Sequence, residues 1–442
     1  MSRNHILILI ALACMAATAF LSCHPTSTGT RATGFVRVAD GILVRDGQPY
    51  RFLGTNMWYA PILASEGQGG DRARLAAELD TLSALGINNL RILVGADGDT
   101  PKPALVWPTL QTAPGVYNDT LLAGLDWLMC ELGRRDMTAV LYLNNSWEWS
   151  GGYGQYLEWA GCGPAADPTR DGYEAYVRYA AQFAANVRAQ QIYLDHVRYI
   201  VTRTNRYTNR PYAADPAIMA WQIGNEPRAF AADSATRVGF EGWIARAAAL
   251  IHELDTVHLV SVGSEGTVGC AFDSLQYERI HADKNIDYLT AHVWPMNWGW
   301  LTRDQMRADT LGTDTAAMNR VCRLTDAYLD QHLRIAQRLC KPLVVEEFGY
   351  ARDGLRFDLA ASTRARDIYY RYVLSRLADP HPHLAGFNFW AWSGLAQPRH
   401  ERWQFGDDYC GDPAQEEQGL FSVFVSDTST IGVMREIISR GG

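Results

Sequence analysis

The sequence is short of positive charge. Its 442 residues carry 40 Lys and Arg against 48 Asp and Glu, a formal charge of −8, and no Lys/Arg run gathers what basic charge there is. A nucleic-acid partner would want a basic face, so the balance argues against one. There is no CxxC pair and no group of histidines at metal-ligand spacing, so neither a metal nor another cofactor is expected. No GxGxxG or P-loop follows any early strand-like run, which removes the usual nucleotide fingerprints. After residue 34 there is no further linker and no low-complexity stretch, so one domain is expected over 35–442.

What is present is apolar and aromatic. Hydrophobic residues make up 48% of the chain, enough for a sizeable core, and it holds 14 Trp and 21 Tyr. Indole and phenol rings suit the flat, weakly polar C–H faces of sugars, although a Trp-rich core would give the same count. The N-terminus carries Arg3, then the apolar stretch Ile6 to Phe20, then Leu21-Ser22-Cys23. This is the pattern of a cleaved signal peptide, too short for a comfortable membrane span. It resembles the bacterial lipoprotein type, with residues 1–22 removed and Cys23 lipidated. Residues 23–34 then read as a flexible tether. The expected location is the cell envelope, lipid-anchored, or secreted, with the membrane touched only through Cys23 and the chain acting as a monomer. Six cysteines lie beyond the targeting segment, and export would permit disulfides among them, with pairing not readable from sequence.

Phe35–Val38 and Ile42–Val44 around Asp40-Gly41 read as a β-hairpin closing the bottom of a larger unit. Eight apolar runs follow, at 52–56, 89–94, 138–143, 218–224, 259–263, 288–294, 343–347 and 386–390. Amphipathic helical patterns alternate with them. In Arg72–Leu85 the residues Leu75, Leu79, Leu82 and Leu85 share a face, and Gly86 ends the run; Leu121–Leu132 before Gly133 behaves likewise. The fold class expected is α/β, a (β/α)8 TIM barrel with a short N-terminal β-hairpin; an open doubly wound sheet is the competing architecture. In a barrel, chemistry sits at the C-terminal strand ends, so charged residues found there carry weight.

The fourth run ends in Gly224-Asn225-Glu226-Pro227-Arg228 and the seventh in Glu346-Glu347-Phe348-Gly349. Two carboxylates from different strands of one barrel mouth suit acid/base and nucleophilic work on a glycosidic bond. The plainer reading makes Glu226 a helix N-terminal acid or a partner of Arg228. Strand alternation sends Glu346 and Glu347 to opposite sides and leaves open which one faces the mouth. Arg91 is a charge inside the apolar run Asn89–Val94, costly unless a catalytic carboxylate pairs with it. His292 and Trp294 alternate onto one side at the end of the sixth run. Trp58 and Tyr59 after the first run, and Asn144 and Trp147 after the third, are expected to form subsite walls, with Trp298 and Trp300 extending the cleft.

Asn225-Glu226-Pro227 and Glu347-Phe348-Gly349 resemble the signatures of glycoside hydrolase family 5, from about Phe35 to the end of the chain. The resemblance implies a retaining barrel enzyme with Glu226 as acid/base and Glu347 as nucleophile, Glu346 being its structural neighbour. It also implies that Asn225 meets the sugar 2-hydroxyl and that Trp390 lies under the sugar being cleaved. Within the family, Gly54-Thr55-Asn56-x-Trp58-Tyr59, Asp215–Trp221 and His292-x-Trp294 look most like the β-mannanases. Departures at Trp58-Tyr59, Trp294 and Gln222 bear on subsite detail. The expected activity is endo-acting hydrolysis of β-1,4-mannosidic linkages in mannan, glucomannan or galactomannan. The alternatives are a β-1,4-glucanase, an exo-β-mannosidase, or a non-catalytic glycan-binding lipoprotein.

Overall fold

The computed structural model describes residues 34–441 except 103, 379 and 380. The expected signal peptide, the lipidation site Cys23 and nearly all of the tether lie outside the described residues. Eight parallel strands form one sheet: β1 Phe52–Asn56, β2 Asn89–Leu93, β3 Thr138–Tyr142, β4 Ile218–Gln222, β5 Leu259–Ser261, β6 Leu289–Val293, β7 Leu343–Phe348 and β8 Leu384–Phe389. They are hydrogen-bonded in the order β5-β4-β3-β2-β1-β8-β7-β6, which curls the sheet almost into a closed barrel. No ladder joins β5 to β6. That seam is instead stitched by Asp287, whose N–H donates to Val260 O at 2.8 Å and whose carboxylate accepts from Val260 N at 2.7 Å. Every residue of the eight strands is buried, as strands covered on both faces require.

The helices obey their sequence signals. Asp71 caps Arg72–Leu85 by accepting from Arg74 N, its four leucines are buried, and Gly86 ends it at φ +80°. Asn118 caps the next helix, Asp119–Arg134. Here Gly133 does not stop the helix as expected. The turn comes at Arg135 and Asp136, the latter at φ +55°. At the N-terminal end of the barrel, Arg37–Ala39 pairs with Ile42–Arg45 across Asp40 and Gly41, both at positive φ as a type I′ turn demands. A third short strand, Gln48–Pro49, makes this a three-stranded sheet rather than a bare hairpin. Its Val36 and Leu43 pack with Phe52, Val140, Met219, Leu259 and Val344, plugging the barrel interior from below.

All six cysteines among the described residues are free thiols, so the disulfides that export would permit are absent there. No helix of the described residues is long and apolar enough to cross a membrane.

Candidate active site

The C-terminal strand ends converge on a cleft of 440 Å³ that contains Glu226 and Glu347. Glu226 follows β4 at φ +49°, a left-handed conformation that glutamate rarely adopts, and is held by its own N–H on Gly263 O at 2.9 Å. The tight turn aims its carboxylate into the cleft. Oε1 faces His292 Nδ1 at 2.8 Å and Oε2 accepts from the Trp147 indole at 2.6 Å. Glu347, from β7, accepts from Arg91 on Oε1 at 2.6 Å and from the Trp294 indole on Oε2 at 3.0 Å. His292 Nδ1 also lies 3.4 Å from Glu347 Oε2, so one ring nitrogen bridges the two carboxylates. One oxygen of each glutamate and that nitrogen all lie within 4.8 Å of one another.

Arg91 is fully buried and spends its donors inward: on Glu347, on Asn56 Oδ1 at 3.0 Å, on Gln222 Oε1 at 2.8 Å and on Asn225 Oδ1 at 2.7 Å. The pairing expected for a charge in an apolar strand is therefore present. Strand alternation fails at Glu346 and Glu347. The ladder of β6 on β7 passes from Ala291↔Val345 to His292↔Glu347, skipping Glu346 in a bulge. The extra residue turns Glu346 into the barrel interior, 3.7 Å from Arg91, instead of toward the helices.

Burial raises the carboxyl pKa of both Glu226 and Glu347, opposed at Glu226 chiefly by Arg228 and at Glu347 by His292 and Arg91. The two titrate as a pair. Its first proton leaves Glu347, which touches a buried guanidinium, while Glu226 has only neutral indole and imidazole donors in contact. Burial lowers His292 to about 4, so it is neutral near pH 7 and offers Nδ1–H to the carboxylates.

Of the other expected residues, Asn225, Trp147, Trp294, Trp298 and Trp390 line the cleft. Trp300 packs edge-on against Trp298, ring centroids 5.2 Å apart, behind the wall. Trp58, Tyr59 and Asn144 are not walls. The long segment after β8 folds over the end of β1 and covers the first two. The Trp58 indole donates to Gly411 O at 2.9 Å, and the Tyr59 hydroxyl to Trp392 O at 3.0 Å. Asn144 is buried, its side-chain oxygen accepting from Asn145 N.

Sequence reasoning missed several cleft residues. Glu265, two residues beyond Gly263, is buried against Arg228, and burial raises it to about 7. Arg228 in turn lies over the Trp147 ring at 5.0 Å. Glu148 and Tyr173 come from the segment after β3, and Pro413, Gln415 and Glu416 from that after β8. Only the Arg228 two places from Glu226 carried any signal, as a charge after a strand end.

A family model described as GH family 5 beta-mannosidase-like matches residues 33–440. Mannan endo-1,4-beta-mannosidase 1 of Oryza sativa subsp. japonica is 27% identical over 388 residues, 84% of this chain and 80% of that protein. The crystal structure of a glycoside hydrolase family 5 mannosidase from Rhizomucor miehei superposes with a TM-score of 0.82 at 30% identity, covering 93% of this chain and 98% of that one. An endo-1,4-beta-mannanase from the same organism shares the fold at a TM-score of 0.65 and 20% identity, over 92% and 99% of the two chains.

Proposed function

Because this chain belongs to glycoside hydrolase family 5, we propose that it hydrolyses β-1,4-mannosidic linkages in mannan, glucomannan or galactomannan, with retention at the anomeric carbon. Retention is supported by the closeness of the two carboxylates, one oxygen of Glu226 lying within 4.8 Å of one oxygen of Glu347. Retaining enzymes hold their carboxyl groups about 5–5.5 Å apart, whereas inversion needs about 6.5–9.5 Å to admit a water.

In this account Glu347, kept ionised by Arg91, attacks the anomeric carbon. Glu226 gives its proton to the leaving oxygen. Glu226, now a carboxylate, then takes a proton from water, which displaces Glu347 and restores both groups. His292 donates Nδ1–H between the two and fixes their spacing. Asn225, oriented by Arg91, faces the sugar 2-hydroxyl, and Trp147, Trp294 and Trp390 offer apolar faces to the ring.

Endo action is supported by the names of curated relatives such as the rice enzyme. A second reading, exo action, is supported by the beta-mannosidase-like family description and by the likeness to the Rhizomucor miehei mannosidase. Pro413, Gln415 and Glu416 wall the cleft, and Gln418 Nε2 anchors that loop on Asp412 O and Pro413 O, both at 2.9 Å. A product profile on mannan, cellulose and xylan decides: a ladder of manno-oligosaccharides supports endo action and mannose alone exo action. Faster cleavage of cellulose or xylan than of mannan would sink the substrate assignment. We propose in addition that the enzyme is exported and lipid-anchored at Cys23, on the strength of the Met1–Cys23 pattern. The Cys23→Ser protein should then leave the membrane fraction; unchanged fractionation contradicts the anchor.

A further inference from the structure

The bulge in β7 gives Arg91 two carboxylates rather than one. Glu347 lies at 2.6 Å and Glu346 at 3.7 Å from the same guanidinium, and all three side chains are buried. Glu346 is tied into a network reaching five strands. Its Oε2 accepts from Gln222 Nε2 at 2.6 Å, and its Oε1 accepts from the Tyr288 hydroxyl at 3.2 Å. Its backbone carbonyl accepts from Asn56 Nδ2 at 2.8 Å. Gln222 closes the loop: its amide donates to Glu346 and to Ser261 Oγ at 3.0 Å, while its oxygen accepts from Arg91 Nε at 2.8 Å. Any buried carboxylate needs such partners; the point here is that they lead, through Gln222, to the guanidinium that holds Glu347.

We propose that Glu346 is a positioning residue for the reaction, orienting Arg91 through Gln222 and, when ionised, competing with Glu347 for the Arg91 guanidinium. The inference rests on the reading of Glu347 as nucleophile. The charged and titratable groups around Glu346 are few: Arg91 from β2, Tyr288 just before β6, Glu347 beside it on β7, and Tyr277 from the helix Ser274–His281. Asn56, Gln222 and Ser261 complete the surroundings and do not titrate.

The consequence is a third ionisation in the site. Burial raises Glu346 to about 7, with Arg91, Gln222 and Tyr288 pulling it back. Below that pH it is neutral, and Arg91 serves Glu347 alone. Above it, a new negative charge stands beside the coupled Glu226/Glu347 pair and opposes loss of the pair's remaining proton. The acid is thus kept protonated to higher pH than the pair alone would allow.

The test is the pH dependence of kcat/KM for the full-length enzyme and two variants. Glu346→Gln keeps the shape and the acceptor for Gln222 but cannot ionise. It should match wild type within about twofold at pH 5 and fall at least about fivefold below it at pH 8.5, its alkaline limb displaced to lower pH. Tyr288→Phe removes a donor to the charged form. Glu346 then ionises at higher pH, so the alkaline limb should shift to lower pH, by less than in Glu346→Gln, which keeps the test alive if Glu346→Gln does not fold. Superimposed profiles for wild type and either variant, or a Glu346→Gln loss equal at all pH values, would overturn the proposal in favour of a packing role. Loss of activity in Glu347→Ala is the separate control. If that variant remains active, the nucleophile assignment fails; if it is dead and the profiles superimpose, only the present inference does.

Discussion

At the scale of single residues, the account divides two similar glutamates by their contacts. Glu347 touches a buried cation and Glu226 does not, so one is suited to attack as the anion and the other to carry the proton. Glu226→Gln should therefore lower kcat/KM by about 10²–10⁴-fold, most for substrates with poor leaving groups. Glu347→Ala should be inactive on its own but regain turnover with azide, which can occupy the vacated space and attack directly, giving a glycosyl azide of inverted configuration. An inverted glycosyl azide from Glu226→Gln, with none from Glu347→Ala, would exchange the two roles. Both motifs were legible in the sequence because Asn-Glu-Pro and Glu-Phe-Gly sit at strand ends. Which glutamate of the second motif faces the cleft was not, since alternation assumes an unbroken ladder and the bulge at Glu346 breaks it.

At the scale of elements, the barrel was readable because each strand is buried on both faces and so appears as an unbroken apolar run. All eight expected runs lie within two residues of the observed bounds at both ends; at β5 only Leu259–Ser261 of the expected 259–263 keeps strand geometry before the chain turns toward Glu265. What pattern reasoning could not supply was the cover. A loop has no period, and the segment after β8 decides both that Trp58 and Tyr59 are core and that Gln415 and Glu416 face the cleft. Trp58→Phe should consequently lower thermal stability while leaving KM unchanged, and a several-fold rise in KM would return Trp58 to the substrate. The N-terminal sheet makes the complementary case. Leu43→Ala removes a side chain sealed in the barrel floor and should cost about 2–5 kcal/mol, seen in denaturant unfolding, with kcat/KM intact at permissive temperature.

At the scale of the whole molecule, the active-site carboxylates place a demand on the fold. Glu265 and Glu346 both ionise near 7 in the folded protein because they are buried, against about 4.3 in an unfolded chain. Their neutral forms favour folding, so this contribution is complete below about pH 4 and is lost as the pH rises through 7. Thermal melts should show Tm falling by a few degrees between pH 5 and pH 8, and Glu346→Gln should flatten that slope. A Tm that rises over the same interval would mean that Arg91 and Arg228 hold both groups ionised throughout.

The central claim is that the two carboxylates act by double displacement, and the anomeric configuration of the first product tests it most directly. Proton NMR of early hydrolysis on a β-manno-oligosaccharide should show the new reducing end appearing first as the β-anomer, with the α-anomer growing in only by mutarotation. An α-anomer formed first would show single displacement by water and would contradict the roles given to Glu226 and Glu347.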